Sequence, residues 1–284
     1  MIELASTRYG KARVHVVRVH RAADGRHVIR DVIVRVALEG DFEAAHTAGD
    51  NSLVVATDTM KNTCYVIAKE HLGGALEEYG WALAGHFLRS PQVARSTVWL
   101  AEHGWDRLAT SAGPAPDAFQ RAGGLTRTAV VTATRDTVTV ESGVEDLAVM
   151  KTARSAFAGF ARDGYTSLAD TDDRIMATKV SATWRYEPGR HDWDPTWERT
   201  LATFRDVFAE HHSPSVQASI WIIGKAILEA EPLLVEISMT MPNLHHWTYD
   251  LSPFGIDNDR EVYVATEEPH GLIEATIRRS EEPG

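Results

Sequence analysis

Apolar and polar positions follow two periods along the chain, two and about 3.6, and they recur in the same order in both halves. Val14 and Val16, then Val17 and Val19, mark a strand whose phase slips between the pairs, as at a bulge. Asp24-Gly25 supplies turn chemistry before a second strand, where Val32, Val34, Val36 and Leu38 alternate with Ile33, Arg35, Ala37 and Glu39. Two helices follow. One runs from near Thr59 to Gly73-Gly74; the other carries Leu76, Tyr79, Leu83 and Phe87 at helical spacing and stops before Ser90-Pro91. Strands recur around Val93 to Ala101 and Leu125 to Thr134, and Gly113, Pro114 and Pro116 make the segment between them read as a loop.

The second half repeats this order. A strand around Thr137 to Val149 precedes an irregular stretch, and then Val180, Ala182, Trp184 and Tyr186 alternate with polar residues. Asp194-Pro195 reads as an N-cap followed by Pro at the first helical position, opening a helix with Trp197, Leu201, Phe204 and Phe208. Ser213-Pro214 reads likewise for a helix carrying Val216, Ile220, Ile223 and Ile227. Val235, Ile237, Met239 and Met241 form a strand, Val262 to Ala265 the last one, and the tail from Arg278 is polar and expected to fray. The pattern predicts an α+β protein of two β-β-α-α-β-β repeats, 1–135 and 136–284, with antiparallel hairpins and helices on one face. Such sheets expose edges and one face, so assembly into a closed barrel through oligomerisation is expected.

Charge and cysteine usage narrow the partners. Forty Asp and Glu against twenty-nine Lys and Arg give a net charge of −11 over 284 residues, and no basic patch offsets it, which argues against nucleic acid as a partner. No apolar run approaches the ~20 residues that span a bilayer, and no apolar segment opens the chain as a secretory signal would. The single cysteine, Cys64, excludes an internal disulfide and any cysteine-cluster metal site, and no His-Glu-x-x-His motif occurs among the thirteen histidines. Two polar helix starts could hold an anionic or carbonyl-rich ligand: the stretch around Thr57, Asp58 and Thr59, and Ser213 to Gln217. The plainer reading has Asp58 or Thr59 as a helix cap and Ser213 as another, with Gln217 merely solvated.

Several motifs together go further. Tyr9-Gly10-Lys11, the stretch from Gly49 to Thr63, Phe157-Ala158-Gly159-Phe160, Asp173-Arg174-Ile175, Ala182-Thr183-Trp184, Ser213-Pro214-Ser215-Val216-Gln217 and Pro242-Asn243-Leu244-His245 stand in the order found in urate oxidases (uricases). Nearly the whole chain resembles that family. The resemblance implies the tunnelling fold, a homotetramer, and active sites at subunit boundaries, with Lys11, Thr57 and Asp58 from one chain and Phe157, Arg174, Val216, Gln217, Asn243 and His245 from its neighbour. It implies urate and O₂ as substrates, no cofactor, and 5-hydroxyisourate and H₂O₂ as products.

The residue types suit that chemistry. Arg174 offers a planar fork of donors to an anionic ring edge, Gln217 a donor beside an acceptor, and Phe157 an aromatic face. Thr57, with the N–H groups near Asp58 and Val216, would serve the remaining rim atoms. Lys11, Thr57 and His245 resemble a proton relay, and Asn243 would hold O₂ and then water. A purine-binding protein without catalysis remains the alternative; it would need Arg174, Phe157 and Gln217 but not the relay. The end Glu282-Pro283-Gly284 lacks a Ser-Lys-Leu peroxisomal address, which favours the cytoplasm.

Overall fold

The structure, a computed structural model, describes residues 2–280. The chain divides into two compact units: the first runs to Val144 and also takes Arg185–Trp197, and the second takes Glu145–Trp184 and the chain from Glu198 onward.

In the first unit β1 (Tyr9–Arg21), β2 (His27–Gly40), β3 (Val93–Thr110) and β4 (Gly113–Ala133) neighbour one another in chain order, each pair antiparallel. Between β2 and β3 lie a short helix α1 (Glu43–Thr47), then α2 (Thr57–His71) and α3 (Leu76–Phe87). Val32, Val34, Val36 and Leu38 fill one face of β2 and are wholly buried, as are Met60 and Cys64 of α2 and Leu76, Tyr79 and Leu83 of α3. Each such side chain contributes roughly 1.5–3 kcal/mol by leaving water. α3 sits tightly on the sheet at Gly80, where a Cβ would come 2.8 Å from Val131 and 3.0 Å from Leu100. A buried polar network pins the same helix: Glu77 pairs with Arg127 at 2.8 Å and accepts from Ser142, and Arg127 also pairs with Asp194 at 2.7 Å.

The second unit holds the end of β5 (Val138–Lys151), most of β6 (Met176–Tyr186) and of α4 (Trp193–Glu210), then α5 (Val216–Ala230), β7 (Leu234–Thr248) and β8 (Tyr263–Arg278). β6, β7 and β8 are neighbours in that order, with β7 and β8 antiparallel. Ile220, Ile223 and Ile227 of α5 are buried with Ile237, Met239 and Met241 of β7. Gly224 plays the part that Gly80 plays in the first unit: a Cβ there would meet Ile277 at 2.8 Å and Met239 at 3.1 Å.

Several local expectations are corrected. The irregularity in β1 lies between Lys11 and Val14, with Arg13 at φ +57°, and the strand runs regularly through Val16 and Val17. Val17 and Val19 are exposed because they point to the opposite face of the pleat from Val14 and Val16. The segment around Gly113, Pro114 and Pro116 is no loop: β3 and β4 pair out to Thr110 and Gly113, a long hairpin whose tip is polar because water covers it. α1 carried no periodic signal. Neither Asp58 nor Thr59 caps α2, which begins at Thr57 after Ala56, and Ser215 rather than Ser213 caps α5 by accepting the Ala218 N–H at 3.1 Å. Asp194 falls inside α4, which starts at Trp193. β8 is far longer than Val262 to Ala265 suggests, and its end is anchored: the Arg279 N–H donates to the Val235 carbonyl at 3.0 Å and its Nε to the Leu234 carbonyl at 2.9 Å. Residues 281–284, on which the tail and cytoplasm expectations draw, lie outside the described residues.

Candidate active site

A cleft of about 790 Å³ opens in the second unit, and Phe157, Arg174, Val216, Gln217, Asn243 and His245 all line it. Three pieces of chain carry them. The irregular segment after β5 folds against itself: Phe157 and Thr171 exchange backbone hydrogen bonds at 2.8 and 3.0 Å, and the Arg174 N–H donates to the Ser155 carbonyl at 2.7 Å. Ser155 in turn bridges to Ser213, whose carbonyl accepts the Ala156 N–H at 2.7 Å, so this segment is tied to the approach of α5. Val216 and Gln217 are the first two residues of α5, with main-chain N–H groups at the positive end of the helix dipole. Asn243 and His245 flank a register shift in β7.

Arg174 is the dominant group. Its guanidinium carbon lies 5.4 Å from the centroid of the Phe157 ring, which itself stacks on Phe160 at 4.9 Å. Its Nε is buried without a hydrogen-bond partner, and among the described residues no carboxylate pairs with it. Burial pushes its pKa down from the ordinary guanidinium value, but arginine does not give up its proton in proteins. A half-buried cation with a buried, unsatisfied donor favours the arrival of an anion.

His245 faces the same space. Its ring stacks on Trp247 with centroids 5.3 Å apart, and Asn243 Nδ2 lies 3.5 Å from its Nδ1. Its pKa is lowered, chiefly by burial and further by the Arg174 charge and the neighbouring imidazoles of His270 and His246, which keeps the ring neutral at neutral pH. Asn243 is buried on the floor of β7 opposite Gly271.

Lys11, Thr57 and Asp58 lie in the first unit and are not part of that cleft's lining. Thr57 and Asp58 are consecutive, and the strand of Lys11 is tied to the segment before them by the Tyr9–Val55 hydrogen bonds. Lys11 sits on β1 at the register shift, and its charge helps lower the Asp58 pKa after the larger effect of Lys61, which hydrogen-bonds Asp58. Thr57 and Asp58 form the exposed first turn of α2. Sequence reasoning gives no role to further lining residues, among them Asp173, His246, Trp247, Arg260 and Tyr263. Asp173 enters only as part of the Asp173-Arg174-Ile175 motif and Trp247 only as a neighbour of His245; Arg260 stands in a segment with no periodicity. Among the described residues no three His, Cys, Asp or Glu converge to hold a metal ion.

An α+β sheet with a helix pair, bearing an unpaired arginine over an aromatic ring beside an amide and a neutral imidazole, offers groups chemically suited to a flat anion that can exchange protons. Comparison with known proteins gives the family. The sequence model of the family described as Uricase matches residues 7–132 and 140–274. The chain is 43% identical to the uricase of Arthrobacter globiformis over 98% of this chain and 90% of that one, and 42% identical to that of Dictyostelium discoideum over 99% of each. The crystal structure of the Arthrobacter globiformis uricase superposes with a TM-score of 0.93 at 41% identity, covering 100% of this chain and 98% of that one. The chain belongs to the uricase family.

Proposed function

We propose that this chain oxidises urate: urate, O₂ and water give 5-hydroxyisourate and H₂O₂. The observation that carries the reading is the half-buried Arg174 guanidinium, its buried Nε unpaired and the group set against Phe157, in a chain of this family. Urate is flat and acidic, so its anion satisfies the orphaned donor while its ring lies on the aromatic side chain. Gln217 takes a carbonyl and the adjacent ring N–H, and the main-chain N–H of Val216 takes a further rim atom. Thr57 and the Asp58 N–H close the opposite edge.

The urate dianion passes one electron to O₂, and the pair combine at C5 as a hydroperoxide. Peroxide leaves as H₂O₂ and water adds at C5, so the two electrons lost by the ring are those gained by O₂. This route draws on no cofactor, because the substrate itself is the reductant. Lys11, Thr57 and His245 relay the protons, with neutral His245 as acceptor. Asn243 holds O₂ and afterwards the water above the ring.

Lys11, Thr57 and Asp58 come from one subunit of a homotetramer and the Arg174 cleft from another, so the isolated chain is inactive. Each subunit is two repeats, 1–135 and 136–284, and the enzyme works in the cytoplasm. Purified, chelator-treated protein mixed with urate in air-saturated buffer provides the test. Urate loss should be matched one-to-one by O₂ uptake and H₂O₂ release. Tight urate binding with no O₂ uptake would favour a purine-binding protein instead.

A further inference from the structure

No side-chain hydrogen bond or ion pair of its own holds Arg174 among the described residues, so beyond its contact with the Phe157 ring its aim comes from the backbone that carries it. Asp173, the residue before it, gathers three pieces of chain. Its Oδ1 accepts the Arg154 N–H at 2.8 Å, and its Oδ2 lies 3.2 Å from Arg260 Nη2. Its carbonyl accepts that same Nη2 at 2.7 Å and the Thr171 hydroxyl at 3.2 Å.

Arg260 is brought there by a built turn between β7 and β8. Asn258 donates from Nδ2 to the carbonyls of Tyr249 and Val262, both at 2.8 Å, and its Oδ1 accepts the N–H groups of Glu261 and Val262 at 3.0 and 3.1 Å. Arg260 adopts φ +65° and Arg154, at the other end of the Asp173 contacts, φ +59°. L residues rarely hold that conformation unless surrounding bonds fix it. Both Asp173 and Arg260 line the cleft that Arg174 enters.

We propose that Arg260 and Asp173 form a clamp that fixes the direction of the Arg174 guanidinium, which makes Arg260 a positioning residue for the anion bound in the cleft. This rests on the reading of the cleft as the urate site. The clamp acts on binding: a misaimed Arg174 loses its bidentate contact while the proton relay is untouched.

Steady-state urate oxidation by Arg260→Ala and Arg260→Lys variants, with amide hydrogen exchange on the same samples, tests it. Arg260→Ala should raise KM about tenfold with kcat nearly unchanged. Lys should recover much of that loss, since a single nitrogen makes both contacts to Asp173. The Arg154 amide should exchange faster in the Ala variant. Unchanged KM and unchanged exchange in a wild-type background that oxidises urate would overturn the clamp. Asp173→Asn should raise KM in the same direction; a rise confined to Arg260→Ala would put Arg260 on the ligand itself and overturn the positioning role. Where wild-type protein oxidises no urate, the functional reading fails and exchange at Arg154 and Arg174 alone decides the clamp: faster in the variants supports it, unchanged overturns it. If Arg260→Ala does not fold, Arg260→Gln takes its place in every comparison.

Discussion

The Tyr9 hydroxyl accepts the Val55 N–H at 2.8 Å and lies 3.2 Å from the Val55 carbonyl, to which it donates. This one side chain ties the start of β1 to the segment that opens α2, and so brings the strand of Lys11 to the helix start of Thr57 and Asp58. The ring is fixed by an edge-on contact with buried Phe42 at 4.8 Å. Tyr9→Phe keeps that packing but strands the Val55 N–H and carbonyl. Stability should fall by about 1–2 kcal/mol in urea unfolding, the cost of unsatisfied part-buried backbone groups.

Arg174 should be the residue on which urate binding depends most. Arg174→Ala should raise KM for urate at least about tenfold, through loss of a charge-assisted bidentate contact. Arg174→Lys should recover little, because a point charge cannot take two ring atoms in one plane. Steady-state kinetics on both variants gives the comparison.

Lys11→Met and Thr57→Ala should behave differently. Both should still bind urate, measured under nitrogen, while turnover drops by about 10²-fold, the worth of a positioned proton-transfer group. Full turnover in both would remove the relay.

The His245 pKa is lowered from its ordinary 6.5 by burial first and then by Arg174, His270 and His246. Neutral His245 therefore persists in the free enzyme as pH falls through 6.5, and the acid limb of kcat/KM that belongs to this group should lie below that value. Stability follows with the same sign. The unfolded chain takes up the proton near 6.5 while the folded one resists it, so this group costs stability as pH falls below 6.5 toward the folded value. His245→Gln should remove that share of the acid sensitivity, as read from unfolding midpoints across pH.

Much of the fold was legible because amphipathic periods survive wherever one face meets a core. Val32 to Leu38, Leu76 to Phe87 and Val180 to Tyr186 are buried on the side their spacing predicts. Periodicity failed where burial does: the β3–β4 tip beyond His103 and most of β8 are strands with both faces largely in water, so hydrogen bonding rather than alternation defines them. Cap positions slipped by one or two residues because Thr57–Thr59 and Ser213–Ser215 offer several competent oxygens in a row. Of the site, the resemblance named the groups that line the cleft, but not what aims them. Arg260 and Asp173 act through side-chain bonds made across long sequence separations, which no local pattern records.

The account turns on one claim: a catalytic site assembled from Lys11, Thr57 and Asp58 of one subunit and the Arg174 cleft of another. Co-expressing Lys11→Met and Arg174→Ala chains, each strongly impaired alone when urate is kept well below the raised KM, tests it directly. Random assembly of a symmetric oligomer leaves about a quarter of the sites with both halves intact, so purified hybrids should regain about that fraction of wild-type urate oxidation. If each chain built its own site, every site would carry one defect, and hybrids no more active than the separate variants would contradict the account.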